Sequence, residues 1–220
     1  MNSTESKTIQ SVFACVLIGG KSSRMGRPKH LLRQAGCFWL ERTVTITAAL
    51  VDEVVLVGAG TIPPSLNHLT RLSDAVGPKG PLAGILAALR WRPDVSWLVL
   101  ACDLPALQPE ALQWLLREAQ QGGLAILPCL DKGEGLQRVE PLLAFYSGQC
   151  LPYLEELAAS GNWRMNQLRH VQGVRTPLPP PEFQLAWRNI NTPQQLMRYL
   201  DETEGKTTAK AATVLHEETG

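Results

Sequence analysis

The chain has 220 residues, of which 45% are apolar and 19% charged, and its formal net charge is +1. This length suits one domain with a closed core. The near-neutral balance argues against a general nucleic-acid-binding protein, which normally carries a basic excess. No apolar stretch approaches the roughly 18 residues that a membrane-spanning helix needs.

Both ends of the chain are polar and lack hydrophobic periodicity. This predicts disordered segments at 1–10 and 203–220 around a single domain at 11–202. The first residues also lack the apolar core of a signal peptide. The five cysteines are widely spaced and form no C-x-x-C pair, so they predict neither a disulfide framework nor a zinc site. We therefore expect reduced thiols in a cytoplasmic protein with no membrane or nucleic-acid partner.

Short apolar runs recur along the chain, and each is apolar at consecutive positions rather than at alternating ones. This pattern predicts strands that are buried on both faces of a parallel sheet. The predicted strands are VFACVLI (12–18), EVVLVG (53–58), WLVLAC (97–102), LAILPCL (124–130) and VEPLLAFY (139–146).

Amphipathic patterns between these runs predict helices. The predicted helices cover 38–51, 80–91, 108–121, 151–160 and 193–202. Alternation of strands and helices implies βαβ units and hence an α/β fold, a three-layer sandwich with a mostly parallel central sheet. Ligands of such sheets bind at the carboxyl ends of the strands, so candidate residues are judged by whether they lie there.

A glycine-rich stretch, IGGKSSRMGRPKH (18–30), follows the first predicted strand directly. Within it, Gly20, Lys21 and Ser22 imitate the end of the phosphate-binding P-loop pattern G-x-x-x-x-G-K-[ST]. The first glycine of that pattern would have to be residue 15, which is Cys15 and belongs to the strand. A P-loop is therefore excluded.

The same stretch can nevertheless hold phosphate in another way. Gly19 and Gly20 allow backbone N–H groups to approach an anion closely. Arg24 can grip phosphate oxygens with its planar fork, and Lys29 can add a mobile charge. Because the stretch comes straight after a strand, we interpret it as a phosphate-binding loop rather than a solvated basic loop.

Acidic and amide side chains follow other predicted strands. Asp103 comes at the carboxyl end of the third strand, where a carboxylate can hold a Mg²⁺ ion that bridges phosphate oxygens; a solvated residue or a helix cap is the alternative. Asp74 follows a short extended segment, and the glycine-rich residues 77–85 then lead into a helix. Asn189 and Asn191 lie on one side of an extended segment before the last helix.

Four stretches, LIGGKSSRMGRPK, GPLAGI, CDLP and NINTP, occur in this order from residue 17 to about residue 196. The first resembles the nucleotidyltransferase signature L-(A)-G-G-x-S-x-R-M-G-x-x-K. With all four, the chain resembles the molybdenum cofactor guanylyltransferases, the MobA family. The resemblance implies the nucleotide-diphospho-sugar transferase type of Rossmann-like sandwich. It also implies transfer of GMP from GTP to the terminal phosphate of molybdopterin, with release of pyrophosphate.

The resemblance further implies roles for individual residues. Those implied to bind the nucleotide are Leu17, Ile18, Gly19, Gly20, Ser22, Arg24, Lys29 and Asp74. Asp103 would bind Mg²⁺ and would act in catalysis with Lys29 and Arg24. Asn189 and Asn191 would face the pterin. GTP and molybdopterin are the implied substrates, and a recipient molybdoenzyme is a further implied partner.

Two positions depart from the family pattern. Pro28 stands where bacterial MobA commonly has Asp, and Pro-Lys is frequent at this point in the cytidylyltransferases that act on the same pterin. Gly60 stands where family members tend to carry an Asn that contacts the base. However, the cytidylyltransferases carry A-A-G and a later G-H-P motif, whereas this chain has Gly19-Gly20 and no G-H-P. The sequence therefore favours guanylyl transfer.

Two alternatives stay open on the sequence. The first is a CTP-dependent molybdopterin cytidylyltransferase or another nucleotidyltransferase of small phosphates. The second is a non-catalytic protein that binds the cofactor or a nucleotide. The presence of both Lys29 and Asp103 argues against the second, since binding alone does not need both a metal carboxylate and a transition-state lysine.

Overall fold

The structure is a computed structural model that describes residues 11–19, 31–34, 36–131, 137–190, 192, 194–199 and 201. The strands are β1 Val12–Leu17, β2 Arg33–Gln34, β3 Cys37–Phe38, β4 Glu53–Val57, β5 Thr70–Leu72, β6 Ser96–Ala101, β7 Ala125–Ile126, β8 Cys129–Asp131, β9 Gln137–Val139, β10 Ala144–Tyr146 and β11 Val174–Arg175. The helices are α1 Trp39–Ala48, α2 Pro81–Trp91, α3 Pro109–Gln120 and α4 Leu151–Ala159. Residues 194–199 are also helical. The terminal segments 1–10 and 203–220 lie outside the described residues.

Seven strands form the central sheet in the order β11-β7-β10-β6-β1-β4-β5. The pairs β1–β4, β1–β6, β4–β5 and β11–β7 are parallel, whereas β10 runs antiparallel to both β6 and β7. Two separate hairpins, β2–β3 and β8–β9, accompany it. The prediction of an α/β fold with a mostly parallel sheet is confirmed.

Helices cover both faces of this sheet and make it a three-layer sandwich. Ala14 and Val16 of β1 belong to the apolar cluster that also contains side chains of α1 and α3. The intervening Phe13 and Cys15 belong to a second cluster with side chains of α2 and α4. Because successive side chains of a strand point to opposite faces, a strand between two layers has to be apolar at every position. This explains the continuous apolar runs of the sequence.

Local signals fix the starts of the helices. Proline occupies the first turn of α2, α3 and α4, where its missing N–H costs no helical hydrogen bond. At the start of α1, Glu41 reaches back and its Oε2 accepts the backbone N–H of Phe38 at 3.0 Å. Thr192 caps the last helical segment, since its hydroxyl accepts the N–H of Gln195 at 3.2 Å.

Two of the predicted strands are wrong as single elements. The run at 124–130 divides into β7 and β8, which belong to different sheets. It contains Pro128, which has no N–H to give to a sheet. The run at 139–146 divides into β9 and β10, and the chain between them contains Pro141 and a buried Leu143 with φ of 63°. A left-handed leucine turns the chain sharply and ends the pairing.

Among the described residues no helix is long and apolar enough to cross a bilayer. None of the five cysteines forms a disulfide in the structure, and Cys15, Cys102, Cys129 and Cys150 are buried. This burial agrees with the expectation that these cysteines pack as small apolar side chains, and the reduced state of the thiols stays a prediction.

Candidate active site

Four adjacent strands end in one row across the sheet. Leu17 of β1 pairs with Val57 of β4 on one side and with Ala101 of β6 on the other. Val57 in turn pairs with Leu72 of β5. The residues that follow these four positions therefore leave the sheet at its carboxyl edge, which is the ligand-binding edge of open α/β sheets. Gly19, Asp74 and Asp103 each come two residues after the row.

Ile18 and Gly19, the first two residues of the predicted phosphate-binding stretch, lie against the end of β4. The N–H of Ile18 donates to the Val57 carbonyl at 2.9 Å, and the N–H of Gly58 donates to the Leu72 carbonyl at 3.0 Å. Gly58 has φ of +118°, and a Cβ atom on it would lie 3.1 Å from the backbone N of Gly19. The close approach of these two backbones requires glycine at position 58.

Asp74 reaches toward β1 from the end of β5. A Cβ atom on Gly19 would lie 3.9 Å from Asp74 Oδ2, and a Cβ atom on Gly84 would lie 3.3 Å from Asp74 Oδ1. The N–H of Ala75 donates to the Ala83 carbonyl at 3.1 Å, which ties this loop to the first turn of α2. The structure thus brings Asp74, the first motif and the GPLAGI motif together.

Gly84 is buried in α2 and lets this helix approach β1 closely. A Cβ atom at this position would lie 2.6 Å from Leu17 Cδ2 and 3.5 Å from Val57 Cγ1. Leu17 itself is partly exposed, whereas Ile18 is 1% exposed and its side chain belongs to the core. A ligand at this edge can therefore meet the side chain of Leu17 but only the backbone of Ile18.

The negative charge of Asp74 affects the Cys15 thiol, which is buried in β1. Burial raises the pKa of the Cys15 thiol, and the nearby Asp74 carboxylate raises it further. Both effects disfavour a thiolate, because an anion is poorly solvated in the core and is repelled by a second negative charge. Cys15 is therefore a packing residue and not a nucleophile of this site.

Asp103 is half-buried in the loop that joins β6 to α3. Its backbone carbonyl accepts the N–H of Ile190 at 3.3 Å. Among the described residues, no group of three or more His, Cys, Asp or Glu side chains is placed to hold a metal ion. Mg²⁺ commonly uses one or two carboxylates and completes its shell with water and substrate phosphates. A single carboxylate at the ligand edge fits that mode of binding.

Asn189 lies next to this loop, because its neighbour Ile190 is bonded to Asp103. Its Oδ1 atom is buried and has no hydrogen-bond partner within the described part of the chain. Buried polar atoms are nearly always paired, so an unpaired acceptor beside a candidate site is available for a donor group of a ligand. Its predicted companion, Asn191, lies outside the described residues.

The remaining candidates also lie outside the described residues, and their roles stay predictions. They are Gly20, Ser22, Arg24 and Lys29 of the phosphate-binding stretch. Gly60 is described, and its carbonyl accepts a hydrogen bond from Arg71 Nη2 at 2.8 Å.

The model of the MobA-like NTP transferase domain matches residues 14–174. The chain belongs to the MobA-like NTP transferases. One relative in this family, from Nostoc sp., is called a probable molybdenum cofactor guanylyltransferase; it is 35% identical over 196 residues, which cover 86% of this chain and 90% of the relative. A relative of the same description from Thermococcus gammatolerans is 30% identical and covers 84% of this chain and 97% of its own length.

Solved structures of similar proteins agree with this membership. The molybdopterin-guanine dinucleotide biosynthesis protein A of Archaeoglobus fulgidus superposes with a TM-score of 0.70 at 25% identity, covering 88% of this chain and 99% of that one. The 2-C-methyl-D-erythritol 4-phosphate cytidylyltransferase of Thermus thermophilus has a TM-score of 0.61 at 18% identity and covers 85% and 95% of the two chains. The second likeness shows that this MobA-like NTP transferase shares the nucleotidyltransferase fold.

Three residues escaped analysis of the sequence. Gly58 could have been found as a glycine that follows a strand, but not the residue that it approaches. Arg42 is an ordinary polar residue of a predicted helix, yet its guanidinium reaches the loop after Asp103. Glu140 is only 5% exposed and contacts Arg138 Nε at 3.2 Å, in the region where the prediction of one long strand was wrong.

Proposed function

We propose that this protein transfers GMP from GTP to the terminal phosphate of molybdopterin, releasing pyrophosphate and forming the guanine dinucleotide cofactor. The observation that carries the proposal is the convergence of separate motifs at one edge of the sheet. The Asp74 carboxylate lies beside both Gly19 and Gly84, and Asp103 follows the neighbouring strand β6. Membership in the MobA-like NTP transferases and the guanylyltransferase names of its relatives support the same reaction.

The chemistry requires little covalent help from the protein. An oxygen of the molybdopterin phosphate attacks the α-phosphorus of GTP in line. The new phosphoanhydride bond forms as the bond from the α-phosphorus to the β-phosphate oxygen breaks, and pyrophosphate leaves with the electron pair. No general base is needed, since the attacking phosphate is already an anion. Catalysis then consists of alignment and neutralisation of charge.

We assign the neutralising roles to residues of the phosphate-binding stretch. Lys29 and Arg24 would pair with the phosphate oxygens, with Gly20 and Ser22 offering backbone N–H and hydroxyl donors. Asp103 would hold Mg²⁺, and the ion would supply positive charge that neutralises the phosphates.

Asp74 and Asn189 would orient the two substrates. Asp74 is exposed beside Gly19, so its carboxylate can accept hydrogen bonds from a nucleotide that lies over β1. Leu17 would offer apolar contact to the same nucleotide. The Oδ1 atom of Asn189, which has no partner among the described residues, would accept a donor of the pterin, and Asn191 would act with it. Each would act by holding a substrate in the reactive geometry, and such alignment can account for a large share of the rate enhancement of a two-substrate reaction.

A second candidate, a cytidylyl transfer to the same pterin, is favoured by the Pro28-Lys29 sequence, and Gly60 in place of a base-contacting Asn leaves the choice of base open. The two functions differ in the nucleotide, so pyrophosphate release with GTP and with CTP in the presence of molybdopterin separates them. We expect release with GTP. Release with CTP alone would overturn guanylyl transfer, and tight binding of pterin without release under either nucleotide would favour a binding protein.

We further propose that the reaction takes place in the cytoplasm. The wide spacing of the five cysteines and the lack of a C-x-x-C pair support this, since proteins of reducing compartments rarely carry disulfides. The product dinucleotide would then pass to a recipient molybdoenzyme. Copurification of the two proteins from cells grown with molybdate tests this partner, and product that transfers only through free solution would contradict it.

A further inference from the structure

A side chain of α1, a helix far away along the chain, holds the loop that contains Asp103. Arg42 of α1 donates from Nη1 to the Pro105 carbonyl at 3.1 Å and from Nη2 to the Leu107 carbonyl at 2.6 Å. Hydrogen bonds from a guanidinium are charge-assisted, and two from one rigid fork fix the distance between their acceptors. Arg42 therefore restrains two points of the loop between β6 and α3.

A second donor reaches the same loop from the last helical segment. The hydroxyl of Tyr199 donates to the Pro105 carbonyl at 2.9 Å. Tyr199 is 7% exposed, and its ring packs in an apolar cluster with Leu32, Trp39 and Ile190. The carbonyl of Pro105 thus uses both of its lone pairs, one for Arg42 and one for Tyr199.

The third contact joins the loop of Asp103 to the segment that contains Asn189. The N–H of Ile190 donates to the Asp103 carbonyl at 3.3 Å, and Ile190 belongs to the same apolar cluster as Tyr199. Asn189 is its chain neighbour. The backbone that carries the proposed pterin contact is therefore bonded directly to the backbone that carries the proposed metal carboxylate.

We infer that Arg42 and Tyr199 are positioning residues for Asp103, and we call these two side chains with the Ile190 N–H the Asp103 clamp. Loops gain precision only from the elements that hold them, and a site works when its groups are held to within about 0.5 Å. The clamp supplies that restraint on the chain after β6, without itself touching a substrate. This inference rests on the proposed function.

Two conservative substitutions loosen the clamp with little change in packing. Tyr199→Phe removes one hydroxyl and keeps the ring in its cluster. Arg42→Lys keeps the charge and most of the stem but replaces the two-point fork by a single ammonium. Arg175→Lys is the matched control, since Arg175 also donates to two backbone carbonyls, of Glu118 at 2.7 Å and of Gly122 at 3.3 Å, at the opposite edge of the sheet.

We expect kcat for pyrophosphate release to fall about 10- to 100-fold in Arg42→Lys and a few-fold in Tyr199→Phe, with KM for GTP within about twofold, because a displaced catalytic group impairs alignment more than binding. The Mg²⁺ concentration for half-maximal rate should rise in both variants. Arg175→Lys should change neither quantity. Equal kinetics in all three variants, or an equal loss in Arg175→Lys, would overturn the inference.

Hydrogen exchange gives a readout that does not depend on turnover. The Ile190 amide should exchange about tenfold faster in Arg42→Lys and in Tyr199→Phe than in the original chain, because its acceptor lies on the released loop. Unchanged exchange in both variants would overturn the clamp even if kcat falls. If the original chain releases no pyrophosphate with either nucleotide, the proposed function fails, and exchange at Ile190 still decides whether the clamp holds the loop.

Discussion

The backbone of Gly58 lies so close to that of Gly19 that a Cβ atom on Gly58 would stand 3.1 Å from the Gly19 nitrogen and 3.3 Å from its Cα. Gly58 follows β4 directly, and Gly19 is the second residue of the predicted phosphate-binding stretch. The position of the first motif is therefore set by the neighbouring strand as well as by β1. We therefore expect a substitution at Gly58 to displace Gly19 and to change the affinity for the nucleotide.

We predict that Gly58→Ala lowers the free energy of unfolding by about 1–3 kcal/mol, because alanine is strained at φ of +118°. It should also weaken GTP binding about tenfold by displacing Gly19. Gly122→Ala is the control: Gly122 has φ of +85° but no atom within 4 Å of the added Cβ, and it lies at the other edge of the sheet. Denaturant unfolding and calorimetry measure the two effects, and equal GTP affinity in both variants would contradict the prediction.

Asp103→Asn should reduce pyrophosphate release by about 10²-fold or more while leaving the fold intact, because it removes the charge that would hold Mg²⁺ at the reacting phosphates in the proposed mechanism. Asp94→Asn provides a matched control at the other end of β6. Asp94 is exposed and pairs with Arg92 at 2.7 Å, and this pairing lowers the pKa of Asp94 to about 2. Turnover near that of the original chain in Asp103→Asn would remove Asp103 from the mechanism.

Two lysines of one stretch should behave differently. Lys29→Ala is expected to lower the rate about 10²-fold or more, as loss of a transition-state donor does. Lys21→Ala should have little effect, since the P-loop in which Lys21 would act is excluded by Cys15. Steady-state pyrophosphate release compares the two variants. A larger loss in Lys21→Ala than in Lys29→Ala would reverse their assignment.

The start of α1 should make stability depend on pH. The Ser65 hydroxyl, then the Phe38 N–H, hold the pKa of the Glu41 carboxyl below its ordinary value of 4.5. A depressed pKa contributes stability above 4.5 that is lost as the pH falls through the lower folded value. Glu41→Gln should thus destabilise the protein at pH 7 and cost less near pH 3. Thermal melts at both pH values test this, with Glu110→Gln in the first turn of α3 as control; a constant difference contradicts it.

The cysteines should differ in reactivity. Burial raises the pKa of Cys150 to about 12, and burial with the charge of Asp74 raises that of Cys15, whereas Cys37 is only half-buried. We expect Cys37 to react first with a thiol reagent at pH 8 in the native chain, and all five thiols to react in denaturant. Cys37→Ser should abolish the first phase. Persistence of that phase would show that a buried thiol is accessible.

Much of the fold was predictable because β1 is apolar at every position, β4 and β6 are apolar at every position after the first, and helices with recognisable starts separate these strands. Prediction failed where a contact between residues far apart in the chain, rather than a local pattern, ends a strand. Leu143 adopts a left-handed conformation while its carbonyl accepts the indole N–H of Trp187 at 2.9 Å, and no local pattern announces a contact between residues so far apart. A run that looks like one strand therefore divides into two.

The sequence alone determines the layered α/β architecture, the order of the motifs and the exclusion of a P-loop, because strand burial and motif spacing are local properties. It also places Asp74 and Asp103 after strands, and the parallel sheet then carries both to one edge. The side-chain contacts made at that edge depend on the tertiary structure. The Asp74 carboxylate lies beside Gly19 and Gly84. Arg42 and Tyr199 both donate hydrogen bonds to the Pro105 carbonyl. These contacts join residues that are distant in the chain, so packing decides them.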